Sequence, residues 1–86
     1  MRYTLLIKKQ AQKTLQSLGR IDRHRIAEKI KLLGENPDNP ALDIKALQGE
    51  PYHRLRVGQW RIIFDRDDEI KIIAIEKIKP RGGAYK

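Results

Sequence analysis

The sequence predicts an α+β domain of order β-α-α-β-β-β, with a helical hairpin packed on one face of a small, mainly antiparallel twisted sheet. Three observations predict it. The apolar period is near two at the N-terminus, changes to helical spacing up to residue 34, and returns to two from Tyr52 onward. Glycine and proline at Gly19, Gly34, Pro37 and Pro40 punctuate these segments. The 86 residues leave room for one domain, 1–86, around one modest core.

Each element has a local reason. Tyr3, Leu5 and Ile7 alternate with Thr4, Leu6 and Lys8, predicting a strand over 2–8. Ala11, Leu15 and Leu18 then fall on one helical face over 9–18, with Lys9, Gln12, Lys13 and Gln16 outward. Gly19 is expected to stop this helix as a left-handed cap. Asp22 is expected to cap a second helix over 22–34, with Ile26, Ile30 and Leu33 inward and Arg23, Arg25, Lys29 and Lys31 solvated. Gly34, Pro37 and Pro40 end it, and a surface loop is expected to about Lys45. Strands over 52–57, 59–65 and 69–78 form a meander, turned at Gly58-Gln59 and Asp67-Asp68. A tail over 79–86 follows.

Composition narrows the function. There is no cysteine, which removes disulfides and thiolate metal sites and points to a reducing cytoplasm. The apolar run in the first ten residues is too short for a signal peptide, and none elsewhere reaches membrane-spanning length. No membrane partner is expected. A formal net charge of +8 and a pI near 10.1 attract polyanions, so nucleic acid is the leading partner. A merely soluble basic domain or a ribosomal-type structural protein fits the same charge.

The hairpin register sharpens this. With Gly58-Gln59 as the loop, Val57 faces Trp60, Arg56 faces Arg61, Leu55 faces Ile62, Arg54 faces Ile63 and His53 faces Phe64. One face then carries His53, Leu55, Val57, Trp60, Ile62 and Phe64, joined by Ile73 and Ile75, for the helices to cover. The other carries Tyr52, Arg54, Arg56 and Arg61. Like charges opposed in a sheet cost up to about 1 kcal/mol unless an anion lies between them. A phosphate suits several converging guanidinium forks, which can also hold the extra negative charge of a pentavalent phosphorane. A solvated sheet surface, with arginine stems covering apolar neighbours, is the alternative.

Lys45-Ala46-Leu47-Gln48-Gly49, Tyr52-His53-Arg54-Leu55-Arg56-Val57-Gly58-Gln59-Trp60-Arg61 and Arg81-Gly82-Gly83-Ala84-Tyr85 together resemble the RelE/ParE superfamily of toxin-antitoxin toxins. The element order matches along essentially the whole chain. The resemblance implies a RelE-like fold and a ribosome-dependent endoribonuclease without metal or cofactor. It would cut messenger RNA in the ribosomal A site, by attack of a ribose 2′-hydroxyl on the adjacent phosphate to leave a 2′,3′-cyclic phosphate. Carried over by position, Arg54 resembles the family's basic residue on the second strand and Arg61 its phosphate-binding arginine on the third. Arg81 resembles the arginine after the last strand, and Tyr85 the C-terminal tyrosine that stacks on or orients the nucleotide. Arg56 shares the motif and, on this register, the site. Lys45, Lys79 and Lys86 extend the expected surface for RNA and the ribosome. A cognate antitoxin and ribosomal RNA are the further implied partners, and association with the ribosome in the cytoplasm the implied location.

One position departs from the pattern. Many relatives carry histidine before the tail arginine, where this chain has Pro80, so an acid-base role there does not transfer. His53 does not replace it, because its parity places it on the core face; His24 is expected on exposed helix. Tyrosine titrates near ~10 and arginine above ~12, so the expected contribution is charge stabilisation and alignment, with the host holding the RNA bent and little cleavage of free RNA. Glu76 is expected either to pair with an arginine or to accept a proton, depending on register. Asp67, Asp68 and Glu69 are expected to be a solvated acidic turn. Two other functions share the fold or the charge. One is a ParE-like toxin that poisons DNA gyrase without being a nuclease. The other is a passive RNA-binding module, disfavoured because Trp60 and Phe64 fall on the core face.

Overall fold

The alternation of apolar residues becomes strand pairing in the computed structural model, which describes residues 2–81. The elements are β1 (Thr4–Ile7), α1 (Lys9–Ser17), α2 (Arg20–Glu35), β2 (Asp43–Ala46), β3 (His53–Val57), β4 (Trp60–Asp67) and β5 (Ile72–Pro80). They form one five-stranded sheet of order β1-β5-β4-β3-β2 with both helices against one face. Strands β2 to β5 are antiparallel neighbours, and β1 joins β5 in parallel. The fold is α+β, as the sequence predicts.

The β3–β4 hairpin has the predicted register at all five pairs, from His53 opposite Phe64 to Val57 opposite Trp60. Gly58 opens its loop at φ +57°, a conformation that glycine takes without steric cost. Leu55, Ile62, Phe64, Ile73 and Ile75 are fully buried beneath Ile26, Ile30 and Leu33 of α2 and Ala11 of α1. Gly34 lies so close to β1 that a Cβ there would come within 2.8 Å of Leu5. Among the described residues no helix is long and apolar enough to cross a membrane.

Several boundaries differ from the expected ones. The segment expected as loop to Lys45 contains β2, whose Ile44 lies opposite Leu55 of β3. Gly19 is not a left-handed cap: at φ −62°, ψ 160° it is extended and caps the start of α2, with its carbonyl accepting from Arg23 N at 2.9 Å. A link of only Leu18 and Gly19 joins the helices, so α2 begins at Arg20. Asp22 therefore lies inside the first turn, where its charge favours the helix dipole, rather than at the cap. Residues 69–71 belong to a turn: the Asp67 carboxylate accepts from the backbone of Glu69 and Ile70, and Lys71 has φ +56°. In compensation β5 runs on through Lys79 and Pro80, the first residues of the expected tail.

A β-bulge interrupts β5. Ile63 faces Lys77 but the next residue, Phe64, faces Ile75, leaving Glu76 as the extra residue. The bulge converts the three-residue step from Ile75 to Ile78 into two inward side chains and turns Lys77 and Lys79 onto the other face.

Arg66 ties the far end of β4 to the loop after α2. Its guanidinium donates to Asp38 at 2.8 Å and to Asp68 at 2.7 Å, and Tyr3 Oη donates to the same Asp68 carboxylate at 2.8 Å. Hydrogen bonding from Arg66 holds both carboxyls below the ordinary aspartate range, and Asp38 in turn keeps Arg66 charged. A depressed carboxyl stabilises the fold above its unfolded pKa of about 4 and loses that contribution as pH falls through its folded value. The melting temperature is therefore expected to drop below about pH 4, and Arg66→Met to flatten that acid limb in a pH series of thermal melts.

Candidate nucleic-acid interface

The sheet face away from the helices gathers cations in cross-strand rows. Asp43, Arg56, Arg61 and Lys79 stand opposite one another across β2, β3, β4 and β5. The neighbouring row reads Lys45, Arg54, Ile63 and Lys77. Six cations thus occupy two rows about 6–7 Å apart, the two-residue repeat of a strand. Strand parity places the arginines, and the bulge at Glu76 adds the two β5 lysines.

The sequence anticipates the opposition of Arg56 and Arg61 but not how the chain relieves it. Arg61, expected on an open surface, is only 7% exposed. Its guanidinium folds back over the hairpin and donates to the carbonyls of Gly58 (3.3 Å) and Trp60 (3.1 Å). Asp43, which sequence reasoning missed, supplies the anion. Its carboxylate accepts from Arg54 Nη2 at 3.3 Å and lies 3.9 Å from Arg56 Nη1. The signal that could have found it is the alternation of Leu42, Ile44 and Ala46, which puts Asp43 and Lys45 on the arginine face once that stretch is read as a strand. The Arg54 side chain is 13% exposed, and its Nε is buried with no hydrogen-bond partner among the described residues.

Two hollows flank the rows. One, of about 240 Å³, lies between the β2–β3 connection and the bulge, walled by Leu47, Tyr52, Ile63, Glu76, Lys77 and Lys79. Its upper wall is a tight loop in which Leu47 N donates to Tyr52 O and Glu50 N to Leu47 O. The other, of about 290 Å³, lies between α2 and the hairpin turn, and Arg25, Arg56, Trp60 and Arg81 line it. Arg81 is held there by its N–H, which donates to Gln59 O at 2.6 Å. Of the expected site residues, Lys79 lines the first hollow and Arg56 and Arg81 the second, while Lys45, Arg54 and Arg61 lie in the sheet rows and line neither. Arg25 joins Arg81 without having been singled out from sequence. Tyr85 and Lys86 lie outside the described residues.

Glu76 does border the cationic face, but among the described residues its ion pair is with Lys8, at 3.9 Å, and not with an arginine. His53 has the expected parity and stacks on Phe64 with ring centres 5.4 Å apart. The acidic turn divides its work: Asp67 accepts from the turn backbone, while Asp68 serves Arg66 and Tyr3.

A family model of the ParE toxin of type II toxin-antitoxin systems matches residues 5–85. The chain belongs to this toxin family. Among its relatives is a "Putative toxin RelE1" of Methanocaldococcus jannaschii, 34% identical over all of this chain and 98% of the relative. The toxin in the archaeal RelE-RelB complex from Pyrococcus horikoshii OT3 shares 35% identity and a TM-score of 0.83, covering 98% of this chain and all of that one. The toxin in a RelB-RelE antitoxin-toxin complex from Methanococcus jannaschii shares 28% identity and a TM-score of 0.76, covering 93% of this chain and 94% of that one. The chain is therefore a RelE-like toxin of a type II toxin-antitoxin system.

Proposed function

We propose that this toxin is a ribosome-dependent endoribonuclease that cleaves translated messenger RNA and is neutralised by a cognate antitoxin. The observation that carries the proposal is the double row of cations on the uncovered sheet face, centred on Arg54, Arg56 and Arg61. Attack of a 2′-hydroxyl on the adjacent phosphate forms the new P–O bond, expels the 5′-oxygen of the next nucleotide and leaves a 2′,3′-cyclic phosphate. Negative charge grows on the phosphorane during that step. A guanidinium held beforehand, as Arg61 is by the Gly58 and Trp60 carbonyls, stabilises it without reorganising, which is where preorganised donors have their largest effect. Arg81, at the end of β5, lines the hollow beside the hairpin turn that Arg56 also borders, and Tyr85 is assigned the stacking or orienting role carried by the resemblance. Lys45, Lys79 and Lys86 are assigned to the RNA and ribosomal RNA backbone.

His53 lies on the core face, stacked on Phe64, so proton transfer is left largely to the ribosomal setting, which also holds the RNA bent for in-line attack. The antitoxin assignment is supported by the similar toxins solved in complex with RelB. An acidic antitoxin segment would complement the face.

A second reading starts from the family model, which is that of the ParE toxin: the resemblance to ParE implies a toxin that inhibits DNA gyrase without cleaving RNA. Inducible expression separates the two. Primer extension on translated messages is expected to reveal discrete cut sites within the coding region, with gyrase supercoiling by the purified toxin unchanged. Intact messages together with blocked supercoiling would replace the nuclease with the gyrase poison.

A further inference from the structure

The carboxylates that bind arginine in this molecule do so in two different ways. Asp38 and Asp68 grip Arg66 at 2.8 and 2.7 Å, the short contacts of charge-assisted hydrogen bonds. Asp43 holds its two arginines loosely, with one long hydrogen bond of 3.3 Å to Arg54 and an ion pair of 3.9 Å to Arg56. A guanidinium has five N–H donors in a planar fork, and only one of Arg54's reaches Asp43. Its Nε is buried with no partner among the described residues, so the fork is desolvated but mostly unused. Asp43 itself sits on the edge strand of the sheet and is half exposed, so little packing holds its carboxylate in place.

We infer that Asp43 is an internal anion that occupies Arg54 and Arg56 in the free protein and yields them to an RNA phosphate, and that it thereby sets how tightly the face holds RNA. Its position in the row explains why the chain tolerates Arg56 opposite Arg61 without a bound ligand. A phosphate diester offers two unesterified oxygens to guanidinium forks, a better match than one long carboxylate contact, so exchange is favoured when RNA is presented in the right place. For RNA that merely collides with the face, displacing Asp43 weakens binding. Asp43 is thus a specificity-determining residue, biasing the toxin against RNA that no host holds in place. The inference rests on the preceding proposal only in taking RNA as the ligand, and it concerns binding rather than cleavage.

The test is anisotropy titration of a single-stranded, 2′-O-methylated RNA oligonucleotide, which cannot be cut, across a salt series. Asp43→Asn and Asp43→Ser are compared with the wild type and with Asp65→Asn. Asp65 shares the face of Arg61 and Ile63 but takes part in none of the ion pairs among the described residues, so it adds the same unit of charge without freeing an arginine. The Asp43 variants are expected to bind about three- to tenfold tighter at low salt, the scale of releasing two long ion pairs, one exposed and one partly buried on its arginine side. Their log–log salt slope should steepen by about 0.7 for each further phosphate neutralised. Asp65→Asn should shift affinity less and leave the slope unchanged. Unchanged or weaker binding by the Asp43 variants, or an equal gain in Asp65→Asn, would overturn the inference. If the Asp43 variants melt early, inorganic phosphate should restore their thermal midpoint; failure to restore it also counts against an exchangeable anion. Absent cut sites on messages would bear on the nuclease proposal and leave this result intact.

Discussion

Replacing Arg61 with alanine is expected to lower cleavage of translated message by about 10²–10³, the usual loss when one preorganised donor to a developing oxyanion is removed. Arg61 stands mid-row, between Arg56 and Lys79, and is the most buried of the cations on its face. Gly58 and Trp60 carbonyls fix its guanidinium from one side, so the group does not have to be ordered during reaction. Arg61→Lys keeps the charge but not the planar fork, and it should recover only part of the rate. Rates of cut-site appearance on ribosome-bound message measure the effect, and thermal melts of each variant separate lost catalysis from lost folding. Full activity in a folded Arg61→Ala protein would remove this residue from the chemistry.

The largest effect on stability is expected at Phe64. It is 1% exposed and sits beside the β-bulge, opposite Ile75 and His53. Alanine there should cost about 3–5 kcal/mol, combining lost apolar transfer with a cavity that close-packed neighbours fill only in part. Native domains are stable by only about 5–15 kcal/mol, so the variant should be close to unfolding at physiological temperature. The substitution also strips His53 of its stacking partner while its Nδ1 is already buried without a hydrogen bond among the described residues. Urea unfolding followed by Trp60 fluorescence would read the loss as a lower midpoint. A midpoint within experimental scatter of the wild type would show that the core does not depend on this ring.

Legibility in the sequence follows the range of the interactions. The helix stripe Ile26, Ile30 and Leu33 and the alternation from His53 to Phe64 are local signals, and the structure has them as expected. Sequence reasoning fails where a distant partner decides. Asp43–Ala46 has one partly buried apolar residue, Ile44, and becomes a strand because β3 offers it an unpaired edge. Glu76 could not be placed until the register with β4 was known, since one extra residue reverses the facing of everything beyond it. The helix caps differ from expectation for a similar reason: the link between α1 and α2 is two extended residues, set by how the helices dock and not by the preference of Gly19 alone.

By itself, the sequence determined the α+β class, the order of the predicted elements, the β3–β4 register and the clustering of arginine on one sheet face. Side chains alternate strictly along a strand, and a glycine-led two-residue turn leaves one register. Tertiary structure alone decided that Asp43 lies against Arg54 and Arg56, that Arg61 is buried against its own hairpin, and that Lys77 and Lys79 join the rows. Those arrangements depend on contacts between residues far apart in the chain or on backbone geometry at a bulge, and neither is encoded in the period of a single segment.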